Sequence, residues 1–260
     1  MLNYGGEYHL KMSELTEDST QVVVPLVMNL VHPTSVVDVG CGLGTWLSAF
    51  VEAGVERILG IDGVDIVQEE LAIPSERFVA TDLAFPYTVG EKFDLVVSLE
   101  VAEHISPDAA ETFIDTLTNL GPVVMFSAAI PHQGGHHHVN EQWPSYWAEL
   151  FRLRGYQAVD CIRPIIWGDN RVQYWYRQNI ILFCKESEPP LTQRLDPHWM
   201  HATDSPLSLV HPELYLARTQ WPIMGGSSVF RAIRAIVPGF LRRPIRRLLM
   251  SGGPEPSGTR

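Results

Sequence analysis

The sequence predicts an α/β fold in which a parallel sheet carries helices on both faces. Two observations predict it. From residue 35 onward, short apolar and β-branched runs alternate with stretches of helical pattern, the order that produces parallel strands joined by crossover helices. The first run, Ser35–Val39, ends in glycines at alternate positions, Gly40, Gly42 and Gly44, and passes at once into a helix-like stretch, 45–51. Glycine allows a sharp turn and lets a ligand approach the main chain with no Cβ in the way. The helix start behind it offers free N–H groups and a positive dipole end. Strand, glycine turn and helix together predict a nucleotide site.

In chain order, residues 1–19 are polar and read as a loose terminus. Residues 21–31 read as a helix on the sheet despite Pro25, and His32-Pro33-Thr34 turns the chain into the first strand. Further strands are expected at 57–61, 77–80, 93–98 and 123–127. Ser106-Pro107-Asp108 opens a helix, with serine as cap, proline in the first turn and an acid facing the dipole. Gly121-Pro122 stops it. A helix over 145–154 starts behind Pro144 and ends at Gly155. Residues 156–162 and 179–185 read as the last two strands. Beyond them Glu186-Ser187-Glu188-Pro189-Pro190 reads as a linker, dividing a domain, 1–185, from an extension, 186–260.

Length and composition fit one sizeable globular domain with an appendage: 260 residues, 45% hydrophobic and 19% charged. Cys41, Cys161 and Cys184 lie far apart with no CxxC pair, so a reducing cytoplasm is expected. No secretory leader and no run of about 18 apolar residues is expected to direct the chain into a membrane. The net charge of −11 conceals a division: residues 214–260 carry eight arginines and one acid, +7, leaving −18 on the rest. An acidic body argues against a nucleic-acid substrate. In the tail, Phe230, Ile233, Leu241 and Ile245 stand beside Arg231, Arg234, Arg242 and Arg246. Such a basic amphipathic helix pair fits an anionic membrane surface, a dock on the acidic body, or the interface of a homodimer.

The residues after the glycine turn narrow the choice of nucleotide. A dinucleotide fingerprint requires G-x-G-x-x-G, and here Thr45 holds the third glycine's place. The spacing is G-x-G-x-G, with Asp38 two residues before the first glycine. The second strand ends in Asp62, whose carboxylate could accept both hydroxyls of a ribose. The third runs into Thr81-Asp82-Leu83, and the fourth into Leu99-Glu100-Val101-Ala102-Glu103-His104. These strand ends, in this order, resemble those of the class I S-adenosylmethionine (SAM)-dependent methyltransferases. The resemblance implies a Rossmann-like sheet of seven strands, mostly parallel, with an antiparallel last strand and the final two forming a hairpin. It implies SAM as cofactor, with Asp38 near its methionine end and the turn of Gly40, Gly42 and Gly44 beneath. Asp82 would bond the adenine amino group, and Leu83 and Leu99 would share the cofactor pocket. In such enzymes an N-terminal segment often acts as a lid, a second reading for residues 1–19.

SAM already carries a good leaving group. The protein must align the acceptor, exclude water, and remove a proton if the acceptor is a hydroxyl. His104, after the fourth strand, is the first candidate base, although packing at a helix start is the plainer role. The loop 131–143 is the second source, with His132, His136, His137 and His138 around Gly134-Gly135. There His138, flanked by Asn140 and Glu141, is the second candidate base. Adjacent histidines do not converge on one ion without strain and no regular ligand spacing is present, so no metal ligand is assigned. Residues 138–147 resemble a subgroup of bacterial methyltransferases associated with glycan or natural-product pathways. Trp167, Tyr174, Trp175 and Tyr176 could stack on a sugar ring or simply fill the core. The sequence thus predicts a cytoplasmic, SAM-dependent methyltransferase acting on a hydroxyl of a small molecule or glycan, with His104 or His138 as base. Transfer to nitrogen or carbon is one alternative. A non-catalytic, SAM-binding scaffold held at a membrane by its tail is the other.

Overall fold

The computed structural model describes residues 6–63, 66–187 and 207–219. Almost all of these belong to one compact unit, Met1–Tyr215; of a second, Leu216–Arg260, only residues 216–219 are described. The arginine-rich helix pair expected in the tail lies outside the described residues. Among those described, no helix is long and apolar enough to cross a membrane.

Seven strands form one sheet: β1 (Ser35–Val39), β2 (Arg57–Asp62), β3 (Phe78–Ala80), β4 (Leu95–Leu99), β5 (Val123–Ser127), β6 (Tyr156–Val159) and β7 (Ile181–Lys185). Their order is β3-β2-β1-β4-β5-β7-β6, and β7 alone runs opposite to the other six. Helices α1 (Gly6–Val31), α2 (Thr45–Glu52), α3 (Ala110–Leu120), α4 (Pro144–Arg152), α5 (Arg163–Ile166), α6 (Tyr174–Asn179) and α7 (Pro212–Thr219) accompany it. Every residue of β1, β4 and β5 is buried, because central parallel strands are covered on both faces; hence their unbroken apolar runs. Alternate side chains enter opposite cores. Val36, Leu95, Val97 and Met125 join Val23, Val27, Leu47 and Phe50 of α1 and α2. Val37, Val96, Val124 and Phe126 join Phe113, Leu117, Trp147 and Phe151 of α3 and α4. In the second core Phe151 stacks on Phe183 at 3.9 Å and Phe126 meets both edge-on, pairs worth about 0.5–1.5 kcal/mol each beyond their burial.

Three segments differ from the sequence expectation. Residues 6–19 are not a loose terminus but the first half of α1. Thr16, Ser19 and Thr20 continue the buried stripe of Val23 and Val27, and their hydroxyls are satisfied: Thr16 Oγ1 lies 3.3 Å from the Tyr176 hydroxyl, and Ser19 Oγ accepts from Gln173 N at 3.1 Å. β6 and β7 are antiparallel neighbours but not a hairpin, since α5 and α6 lie between them. The aromatic run of Tyr174, Trp175 and Tyr176 is helical, so β7 starts at Ile181 and not at 179. Finally, contacts with the domain do not stop at Lys185. Buried Arg163 forms a bidentate pair with Asp160 and donates to the Leu207 carbonyl at 2.8 Å. His211 N donates to Gln178 Oε1 at 2.7 Å, and Arg177 pairs with Glu213.

β1 feeds α2 through the glycine turn, where Gly40, Gly42 and Gly44 all have positive φ, 86°, 54° and 82°. A Cβ on Gly40 would stand 2.3 Å from Val101 Cγ2, and one on Gly44 2.9 Å from Ile73 Cγ1. Gly40→Ala therefore combines left-handed strain with overpacking, and urea unfolding should show a loss of about 2–4 kcal/mol. Gly54, also at positive φ but with nothing within 4 Å of its Cβ position, should lose only about 1–2 kcal/mol as Gly54→Ala. Equal losses would contradict this packing account. Just before β4, Asp94 Oδ2 accepts from the amides and hydroxyls of both Thr34 and Ser35, at 2.7–3.0 Å. Burial opposes ionisation here, but these hydrogen bonds outweigh it and hold the carboxyl below its usual range. A depressed native pKa stabilises the fold above the unfolded value of about 3.9 and loses that contribution as pH falls through the native one. Asp94→Ala should thus cost about 1 kcal/mol at pH 7, modest because the site is exposed. The gap between variant and parent should narrow below about pH 4; a constant gap across urea titrations at pH 7 and pH 3 would count against it.

Candidate active site

The strand order reverses between β1 and β4, and ligands of open α/β sheets bind beyond the strand ends at such a switch. Asp38 lies on β1 there, 2% exposed, with Oδ2 lacking a hydrogen-bond partner. Burial, reinforced by the neighbouring charge of Asp62, raises its carboxyl well above the ordinary range. Asp62 ends β2 and accepts from Gly42 N at 2.5 Å and from Gly63 N at 2.6 Å. Two acids so close that each charge opposes the other suit a cationic ligand, and the glycine turn leaves the backbone bare beside them. Asp82 stands past the end of β3, next to β2 in the sheet, and its Oδ1 accepts from Ala84 N at 3.0 Å, which shapes the turn. Leu83 is half-buried nearby in sequence and Leu99, ending β4, is buried.

The other half of the site follows β4. Glu100 takes a left-handed conformation, φ 55°, with its N–H on Ser127. Its carboxylate accepts from Gln133 Nε2 at 2.7 Å and Asn179 Nδ2 at 3.1 Å. Burial is the main cause that pushes Glu100 up to about 7. A short 3-10 turn, Ala102–His104, then brings Glu103 fully inside. Neither Glu103 oxygen makes a well-formed hydrogen bond; the amides of Glu103 and Ala129 only soften the effect of burial and of Glu100, which together raise this carboxyl strongly. The Glu103 carbonyl accepts from Val139 N at 2.8 Å and Asn140 N at 3.0 Å, which docks the histidine loop onto this turn. Glu141 organises the loop itself: it accepts from His132 N, from Gly134 N and from His138 Nδ1, the last at 2.9 Å. With Nδ1 so held, His138 Nε2 lies 4.0 Å from Glu103 Oε1.

His104 and His138, distant in sequence, thus meet edge-on with ring centroids 4.9 Å apart. Burial first, and His138 second, hold His104 down at about 4. Of the aromatics between β6 and β7, Tyr176 is buried edge-on against Trp46 at 5.3 Å, Trp167 packs on His211, and half-buried Trp175 meets both Tyr174 and Tyr176. From the sequence, Glu100 and Glu103 figure only in the strand-end resemblance, and Gln133, Gln178 and Asn179 receive no role in the site. The signal was there in two acids three apart just before a candidate histidine, and in two adjacent amides opening an apolar strand.

A methyltransferase-domain family profile matches residues 11–160. A comparison with curated proteins gives no match. Among solved structures, the methyltransferase domain of bacterial CtHen1 is 18% identical with a TM-score of 0.50, over 66% of this chain and 98% of that one. An O-methyltransferase family protein from Burkholderia thailandensis is 13% identical with a TM-score of 0.49, over 70% of this chain and 60% of that one. Magnesium protoporphyrin IX methyltransferase from Synechocystis, solved with bound SAH, is 17% identical with a TM-score of 0.48, over 71% and 89%. At 18% identity the likeness to the CtHen1 domain shows a shared fold. The family profile spans more than half of the chain, from α1 through the glycine turn to β6, and the chain therefore belongs to the class I methyltransferases, whose methyl donor is SAM.

Proposed function

We propose that the chain moves a methyl group to a hydroxyl of a small molecule or glycan, with His138 receiving the acceptor's proton. SAM supplies a methyl group on a positively charged sulfur. Asp38, Asp62 and the backbone of Gly40, Gly42 and Gly44 would hold it, since the unpartnered buried oxygen of Asp38 and the left-handed glycines fit a cationic nucleoside. Asp82, Leu83 and Leu99 are assigned to the same cofactor pocket.

The observation that carries the hydroxyl reading is the orientation of His138. Glu141 holds Nδ1 as the donor, which leaves the Nε2 lone pair turned toward the interior of the cluster. An amine or carbon acceptor has less need of such a fixed acceptor of protons. Burial lowers the basicity of His104, whose ring supports the edge of the His138 ring. The acidic body and the resemblance of residues 138–147 favour a small or glycan acceptor over a phosphate polymer.

His138→Ala should leave SAM affinity within about twofold and lower turnover by on the order of 100-fold, the usual worth of a positioned base. SAH release is the readout, over a panel of sugar, phenol, amine and carboxylate acceptors. Unchanged turnover, or a panel in which amines alone react, would contradict the reading.

A further inference from the structure

The acceptor cluster buries two acids with no cationic side chain beside them among the described residues. Glu103 is wholly buried, and both its oxygens lack a well-formed hydrogen bond. Glu100 lies beside it, with its own oxygens engaged by Gln133 and Asn179. No Lys or Arg pairs with either acid among the described residues. A buried carboxylate needs a cation or a set of donors, and what faces Glu103 instead is a pair of imidazoles. One ligand atom each from Glu103, His104 and His138 lies within 4.8 Å of the others. Ligands held around one ion at roughly 2.0–2.2 Å stand at most about 4.4 Å apart, so small side-chain rotations bring these three onto a common centre.

The surroundings add two independent signs. Metal-bound imidazoles donate their other ring nitrogen to a carboxylate or carbonyl, which fixes the ring and raises its basicity; Glu141 stands in that place on His138 Nδ1. A Cβ on Gly135 would fall 2.0 Å from His138 Nε2, so the loop has a glycine where this nitrogen needs clearance. Sequence reasoning set metal aside because adjacent loop histidines cannot converge. The geometry avoids that difficulty by drawing one histidine from the loop and two ligands from the turn after β4.

We propose that Glu103, His104 and His138 bind a divalent transition-metal cation, with Glu100 behind them, and that the cation receives the acceptor's hydroxyl oxygen. The inference rests on the hydroxyl reading and deepens it. Mixed imidazole and carboxylate ligands suit Mn2+, Fe2+ or Zn2+ better than Ca2+. Three protein ligands leave positions open, and a hydroxyl bound there becomes more acidic. Its proton passes to solvent, the methyl group takes the proton's place on oxygen, and the bonding electron pair stays on the donor's sulfur. This keeps the hydroxyl acceptor and replaces the direct proton transfer to His138 proposed above, because a Nε2 lone pair held on the cation no longer receives a proton.

The test is a titration of Mn2+ into metal-stripped full-length protein, without SAM or acceptor, followed by the paramagnetic resonance of free Mn2+. Mn2+ is the probe because the exposed histidines of the loop compete for it poorly. Stoichiometric binding is expected, weakened at least tenfold in Glu103→Gln and in His138→Gln, and within twofold of the parent in His132→Asn. Thermal unfolding supplies the second readout. Mn2+ should raise the Tm of the parent but not of Glu103→Gln, while Glu103→Gln, relieved of a buried acid without well-formed hydrogen bonds, should melt no lower than the metal-free parent. No stoichiometric binding, or equal binding by Glu103→Gln and His138→Gln when both are folded, would overturn the proposal. Because the titration needs no acceptor, a cation site in an enzyme that methylates amines would sink the hydroxyl reading alone.

Discussion

The carboxylate of Asp62, bonded to the amides of Gly42 and Gly63, is the constraint on which the rest of the site depends. It holds the turn after β1 in a left-handed path that only glycine follows without strain. That path brings Gly40 against Val101, so closely that a Cβ there would overlap the valine. Val101 in turn leads into the turn bearing Glu103 and His104, and the Glu103 carbonyl receives the histidine loop. The proposed cofactor end and the proposed acceptor end are therefore one packed unit. A change at the glycines is transmitted to the histidines through contacts, with no moving part required.

The site is also a concentration of acid. Asp38 and Asp62 occupy one end, Glu100 and Glu103 the other, and burial raises the carboxyls of Asp38, Glu100 and Glu103 above their ordinary range. Burying carboxylates without cations costs stability. Folded proteins accept such losses at functional sites and recover them elsewhere, here in two apolar cores and the aromatic stack of Phe126, Phe151 and Phe183. The arrangement is one that a cationic donor, and a cation beside the acceptor, would complete.

The central sheet was legible because its physics is local. β1, β4 and β5 are buried on both faces, so their residues are apolar without interruption, and the glycines mark where the first of them must turn. His104 and His138 were legible as residue types in unusual places. What escaped the sequence depends on partners far away in the chain. The hydroxyls of Thr16 and Ser19 look like surface until Tyr176 and Gln173 meet them. The aromatics of α6 have the composition of a strand, yet they lie in a helix that buries Tyr176 against Trp46. Leu207–His211 reads only as part of the extension after the linker, yet Arg163 and Gln178 bind it. Glu103 was legible as part of the strand-end resemblance but not as a buried residue, because the interior is the last environment that composition suggests for glutamate.

The most direct test of the account is calorimetric titration of the full chain with SAM and, separately, with NAD. Saturable SAM binding without NAD binding is predicted, weakened at least tenfold by Asp62→Asn, which keeps the side chain's shape but removes its charge and leaves one acceptor oxygen for the two amides of Gly42 and Gly63. A folded protein that fails to bind SAM, or an Asp62→Asn variant that binds it undiminished, would contradict the assignment of the glycine turn and its carboxylate as the cofactor site.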